Sequence, residues 1–187
     1  MGRQGIAEPS QAVARGDGCL WRGTEDDMEK QYVYRVNAAS TAVHSGVVTA
    51  DEIQPSIGFS APAEFQGEAG QWTPEHLFLA SVAGCFVSTF SGIAQFSKFE
   101  FLSVDLEVEG ILRKEEEGWR FTQVNLHPRL KIALEKDRER ANRLLEKAEK
   151  TCLIVRSINS KMILRPELIV EAEGLEHEKI WNSVPIS

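Results

Sequence analysis

Between Thr73 and Ser97 the chain is almost without charge, and apolar residues fall on most sides of a 3.6-residue period. They are Leu77, Phe78, Leu79, Val82, Cys85, Phe86, Val87, Phe90, Ile93 and Phe96. Thr73 offers a hydroxyl that caps a helix N-terminus, and Pro74 suits the first helical position, where a missing N–H costs nothing. The pattern predicts one long helix, buried nearly all round. A sheet covers one side of such a helix, and a second chain is the natural cover for the rest.

The other segments are plainer. Gln31 to Asn37 alternates, with Tyr32, Tyr34 and Val36 on one side, and predicts a strand. His44-Ser45-Gly46 predicts a turn, with short strands at Val47–Thr49 and Ile53–Ile57. The Gly-, Pro- and Ala-rich stretch from Ser60 to Gln71 predicts a loop leading into the long helix. Val104 to Glu109 alternates strictly between apolar and acidic residues, as a half-exposed strand does. Glu115 to Gly118 is a turn, and Trp119 to Leu134 returns as a long strand bent near His127-Pro128. Glu135 to Lys150 is an amphipathic helix with Ala141, Leu144, Leu145 and Ala148 as its apolar stripe. It breaks at Thr151-Cys152, and Thr151 caps one or two further turns. Lys161 to Glu171 is a last strand, with Pro166 at a bulge or edge. Strands and helices do not alternate strictly, so the class expected is α+β. The expected organisation is an N-terminal extension over 1–30, a domain over 31–174 and a polar tail over 175–187.

Composition narrows the function. A formal net charge of −7 and the lack of a basic stripe argue against nucleic-acid binding. The long helix could span a bilayer by length, but Ser81, Ser88, Thr89, Ser91 and Gln95 interrupt it and no basic cluster flanks it. No secretory leader is recognisable. The three cysteines, Cys19, Cys85 and Cys152, suit a reducing compartment, so a cytoplasmic protein is expected. No Cys/His cluster has metal-binding spacing and no nucleotide-binding loop occurs, so neither metal nor organic cofactor is expected.

The thiols are the candidate chemistry. Cys85 in the middle of an apolar helix is either packing or a nucleophile. Cys152 opens a helical turn, where a helix dipole and Arg156 would lower its pKa. Two such thiols permit a cycle in which one attacks and the other resolves the product as a disulfide.

Thr73-Pro74-Glu75-His76-Leu77-Phe78, Ala83-Gly84-Cys85-Phe86 and Ala148-Glu149-Lys150-Thr151-Cys152 resemble the OsmC/Ohr family, the osmotically inducible protein C and organic hydroperoxide resistance proteins. Pro55 and the loop Pro62 to Gly67 fit the segment before the family's helix, and the resemblance runs from about Tyr32 to Val170. It implies an α+β fold of antiparallel sheets on a long buried helix, in an intertwined homodimer with two central helices packed together. It implies a thiol peroxidase of oxidative stress defence that reduces organic hydroperoxides and is recharged by an external dithiol. On that pattern Cys85 is the peroxidatic thiol, Cys152 resolves it and Glu75 belongs to the site. Glu75 and Cys85 are ten residues apart on one helix, about 15 Å along its axis, so Glu75 would serve the partner's thiol. The family carries an arginine in a Gly-Arg-Asp-Gly turn; His44 stands in its place here, with Arg35 as another cation nearby. Phe78, Phe86, Phe90 and Trp72 are candidates to line an apolar substrate pocket. The competing expectations are a redox sensor or small-ligand-binding protein without efficient turnover, and a protein in which both cysteines are structural.

Overall fold

The computed structural model describes residues 31–171. The extension over 1–30 with Cys19, and the tail over 175–187, lie outside the described residues. Two sheets and three helices make up the described chain. The first sheet is an antiparallel run of β1 (Asn37–Ala42), β2 (Ser45–Ala50) and β3 (Ile53–Ser60). The helix α1 (Pro74–Phe96) follows, then the hairpin β4 (Ser103–Glu115) and β5 (Gly118–Ile132). A short 3-10 turn leads into α2 (Arg138–Thr151) and α3 (Leu153–Arg156), and β6 (Lys161–Leu164) and β7 (Glu167–Val170) close the second sheet.

The expected strand over 31–37 is displaced. Residues 31–36 are not in a strand, and β1 starts at Asn37. The reason is pairing: Asn37 faces Thr49 near the end of β2, and the ladder of β1 with β2 begins there. Tyr32, Tyr34 and Val36 alternate as a strand should, yet they stand 75, 89 and 72% exposed. β3 runs further than expected, to Ser60. Gly46 in β2 lets Phe59 lie against the sheet, since a Cβ there would come within 2.7 Å of the Phe59 ring.

The second sheet is mixed, which corrects the expectation of antiparallel sheets. β4 and β5 are antiparallel, but β6 and β7 both run parallel to β5, on its other edge. The crossover through α2 and α3 brings the chain back in the direction it left. The single strand expected over 161–171 is two, parted at Arg165-Pro166. That gap lies opposite His127-Pro128: β6 pairs up to Leu126 and β7 from Arg129. Pro128 therefore sits where its missing N–H leaves no ladder bond unmade. The register shift between β4 and β5 falls at Ile111/Leu112 rather than at the proline.

α1 begins as its sequence dictates: the Thr73 side chain accepts a hydrogen bond from the His76 N–H at 3.2 Å, with Pro74 next. One side of the helix is buried, through Val82, Phe86, Phe90, Ile93 and Ala94. These pack with Val124, Leu126, Leu130 and Ile132 of β5 and with the stripe Ala141, Leu144, Leu145 and Ala148 of α2. The opposite side, with Ser81, Gly84, Ser88 and Gln95, is exposed. All-round burial is thus not achieved within one chain, because sheet, α2 and α3 all pack on one side. The helix has the length and hydropathy of a bilayer span, but Phe86 and Phe90 are spent on this core. Phe86→Ala should cost about 3–5 kcal/mol, since the ring is fully buried and its neighbours belong to rigid elements; urea denaturation measures this.

Both faces of the first sheet are largely open: β1 is exposed throughout, and β3 from Ile53 to Gly58. A bridge between Phe59 and Trp72 ties this sheet to the approach to α1, and the Phe65 ring meets Trp119 of β5 edge-on at 6.0 Å. On the outer face of the second sheet, the acidic side of β4 is exposed at Asp105, Glu107 and Glu109. The buried Asn125 is satisfied there, donating to Glu109 at 2.5 Å and accepting from Gln123 at 2.7 Å.

Candidate active site

Cys85 lies near the middle of α1, half-buried. Cys152 is the residue at which α2 ends and α3 begins, with φ −59° and ψ 121°. Its backbone serves both helices. The Cys152 N–H donates to the Ala148 carbonyl at 2.8 Å, and its carbonyl accepts from the Arg156 N–H at 3.0 Å. Thr151 is not the cap of α3, as the sequence suggests. It is the last residue of α2, and its hydroxyl donates back to Lys147. The turn sends the Cys152 side chain into the core, where it is fully buried.

The junction sets α3 across the Cys85 sulfur. The Ile154 N–H donates to Cys85 Sγ at 3.5 Å. Burial works against the Cys85 thiolate. Hydrogen bonds from the Ile154 N–H, the Cys152 thiol, the Thr89 hydroxyl and the Leu153 N–H outweigh it and hold the Cys85 pKa below the usual 9.0. Burial pushes the Cys152 thiol up to about 11, and its bond to Cys85 and the charge there add to the rise against the N–H groups of Val155 and Ile154. This reverses the expectation from sequence. The free N–H groups at the start of α3 favour Cys85, 69 residues away in sequence, and the adjacent Cys152 stays a neutral thiol. Arg156 is exposed and is not among the groups that shift either thiol.

Glu75 occupies the first turn of α1. Its Oε2 is buried with no hydrogen-bond partner among the described residues. Ten residues of helix keep it about 15 Å along the axis from Cys85, so one chain brings the two thiols together and leaves Glu75 apart.

His44 sits in the β1–β2 turn with a left-handed φ of 63°. The buried Ser60 hydroxyl fastens this turn. It donates to the His44 carbonyl at 3.3 Å, and accepts from the Ser45 hydroxyl at 3.2 Å and the Glu68 N–H at 2.8 Å. His44 lines an open cavity of about 310 Å³ with Ser45, Phe59, Ala61 and Pro74, beside the start of α1 and against the small side chains of β1. Arg35 is exposed ahead of β1.

Two of the proposed lining rings are elsewhere: Phe86 and Phe90 are fully buried in the core. Phe78 stacks on Phe121 at 4.9 Å, and Trp72 is half-exposed against His76. Thr89 and the N–H of Ile154 were not singled out from the sequence. Thr89 had a readable signal, the spacing of four from Cys85 that puts both on one helical face. Ile154 had none, because its N–H meets Cys85 through tertiary packing.

Two sheets on a long helix, with paired thiols at a helix junction, define an α+β protein of the kind the OsmC-like proteins form. The model of that family, described as OsmC-like protein, matches residues 67–166, and the chain belongs to the family. The uncharacterized protein YmaD of Bacillus subtilis (strain 168) is 26% identical over 132 residues, covering 69% of this chain and 87% of that protein. Among solved structures, an organic hydroperoxide resistance protein OsmC from Legionella pneumophila superposes with a TM-score of 0.63 at 25% identity, covering 76% of this chain and 100% of that one. The organic hydroperoxide resistance protein OhrB of Bacillus subtilis superposes with a TM-score of 0.56 at 23% identity, covering 73% of this chain and 98% of that one.

Proposed function

We propose that this protein reduces organic hydroperoxides by a two-cysteine cycle. The observation that supports it most is the placing of Cys85 against the junction that carries Cys152: the Ile154 N–H donates to Cys85 Sγ at 3.5 Å, and the Cys85 pKa is lowered while that of Cys152 is raised. The Cys85 thiolate attacks a peroxide oxygen, the O–O bond breaks, and the alkoxide leaves and takes up a proton as the alcohol. Cys85 is now a sulfenic acid. Cys152 attacks its sulfur, a disulfide forms and water leaves. An external dithiol returns both thiols and is itself oxidised to a disulfide.

The order of events is built into the pair. The hydrogen bond to Cys85 and the charge there both help hold Cys152 protonated. Oxidation of Cys85 removes that charge, and Cys152 becomes easier to ionise when its sulfur is needed.

The proposal includes a homodimer. The small-residue side of α1 and the open faces of the first sheet support it, as surfaces a second copy would cover. In that dimer Glu75 and His44 of one chain stand at the thiols of the other, and the buried Glu75 carboxyl, unpartnered among the described residues, gains a donor. The small-residue cavity beside His44 gives the organic group room.

The test is steady consumption of cumene hydroperoxide with dithiothreitol present in excess. Turnover many times the protein concentration is expected. A single slow oxidation per chain would instead favour the sensor reading, whose support is His44 where the family's arginine is expected.

A further inference from the structure

The cavity beside His44 is shaped by three strands in register. Ser40 pairs with Gly46 and Gly46 with Phe59, so the three share one face of the first sheet. Ala38 is two residues along on the same face, with no register shift between it and Ser40. Gly46 has no side chain to fill the middle of this row. The Phe59 ring lies there instead, so close that a Cβ at 46 would stand 2.7 Å from it. With only Ala38 and Ser40 on β1 beside the ring, an open hollow of about 310 Å³ remains, with one aromatic wall. That is the low end of the range that small-molecule sites occupy, about 300–1,000 Å³.

Its polar groups are nearly all spent within the chain. The Ser40 hydroxyl donates to the Ala42 carbonyl at 3.0 Å, and the Ser45 hydroxyl to Ser60 at 3.2 Å. The His44 carbonyl accepts from the Ala61 N–H at 2.7 Å and from the Ser60 hydroxyl at 3.3 Å. The His44 imidazole is the side-chain group left over, with no partner among the described residues. Among those residues no Asp, Glu, Lys or Arg lines the hollow. Apolar walls, no fixed charge and one imidazole suit a neutral, compact ligand with a single oxygen-bearing end.

We infer that the hollow is a binding site for a neutral group of one aromatic ring, which lies against Phe59 and turns its oxygen-bearing carbon towards His44. Ala38 and Gly46 set the size it accepts. The inference rests on the hydroperoxide reading for what that group belongs to, the aryl part of the substrate and of the alcohol it leaves. Aryl hydroperoxides are then preferred to tert-butyl hydroperoxide, which has no ring to bury against Phe59.

The experiment follows carbon-labelled alanine methyls by NMR in the reduced, full-length protein, with cumyl alcohol as the probe. The methyls of Ala38, Ala42 and Ala61 and the ring of His44 should shift saturably, while those of Ala141 and Ala148 in the core stay put. tert-Butanol should bind at least about tenfold more weakly, because the apolar area of the ring is lost. Ala38→Leu fills the hollow from a strand that is exposed throughout, so the core is not disturbed. It should weaken cumyl alcohol binding by about tenfold, and lower the preference for cumene over tert-butyl hydroperoxide in kcat/KM by a similar factor. If Ala38→Leu does not fold by circular dichroism, Ala38→Val, which suits a strand, takes its place. No saturable shift of those methyls, or a variant that binds and selects as before, overturns the site and leaves turnover of cumene hydroperoxide as an independent finding. Saturable binding that the variant loses, in a protein that does not turn over cumene hydroperoxide, sustains the site and removes the peroxidase reading.

Discussion

Cys152→Ser should leave each chain one oxidation and then stop. Cys85 keeps the Ile154 and Leu153 N–H groups and the Thr89 hydroxyl, so its thiolate still forms and still attacks a hydroperoxide. With no second thiol the sulfenic acid persists and is trapped by dimedone. Steady turnover should fall by more than about a hundredfold, while a single rapid turnover survives. Cys85→Ser should lose both, by more than about a thousandfold, because a serine hydroxyl is a poor nucleophile without a base beside it. The contrast follows from burial. Cys152 is fully buried and protonated; Cys85 is half-buried and stabilised as a thiolate. A Cys152→Ser variant that still turned over steadily would mean that the external thiol attacks the sulfenic acid directly. Cys152 would then be a donor and a packing residue, not the resolving thiol.

How much of this was legible in the sequence follows from the distance over which each signal acts. The Thr73 cap, Pro74 and the extent of α1 are local, and were read correctly. The stripe Ala141, Leu144, Leu145 and Ala148 is a one-helix pattern and is the buried face of α2. The strand over 31–37 was misplaced because a strand exists only where another strand meets it, and β2 pairs from Asn37 onward. The mixed second sheet was missed for the same reason: nothing in Lys161 to Glu171 records the direction of β5. The fold class and the two thiols were therefore readable, but not which thiol the helix junction favours. A dipole argument applied along the sequence assigns the start of α3 to Cys152. In space those N–H groups point at whichever sulfur stands across from them, and that sulfur comes from α1. The hold of Ser60 on the His44 turn is likewise a contact across sixteen residues, with no local pattern to announce it.

The thiols should also titrate far apart, in a sequence opposite to their exposure to the helix dipole along the chain. In a Cys19→Ser background with carbon-labelled cysteine, NMR of the Cβ atoms should show Cys85 ionising below 9.0 and Cys152 near about 11. Cys85→Ser then removes two of the three causes that raise Cys152, its hydrogen bond to that sulfur and the charge there. Its midpoint should fall from about 11, with burial as the one raising cause that remains. The same asymmetry fixes the sign of the alkaline stability change. Cys152 has a folded pKa above its unfolded value, so its contribution is complete below pH 9 and is lost as pH rises towards 11. Cys85 acts in the other direction, since its folded pKa is depressed and the fold favours its thiolate above the unfolded value. Cys152→Ser should therefore flatten the fall in melting temperature between pH 9 and 11, while Cys85→Ser should remove the gain that develops as pH rises towards 9. If Cys85→Ser left the Cys152 midpoint unchanged, the two sulfurs would not be coupled. The ordering of attack and resolution would then need some cause other than the charge on Cys85.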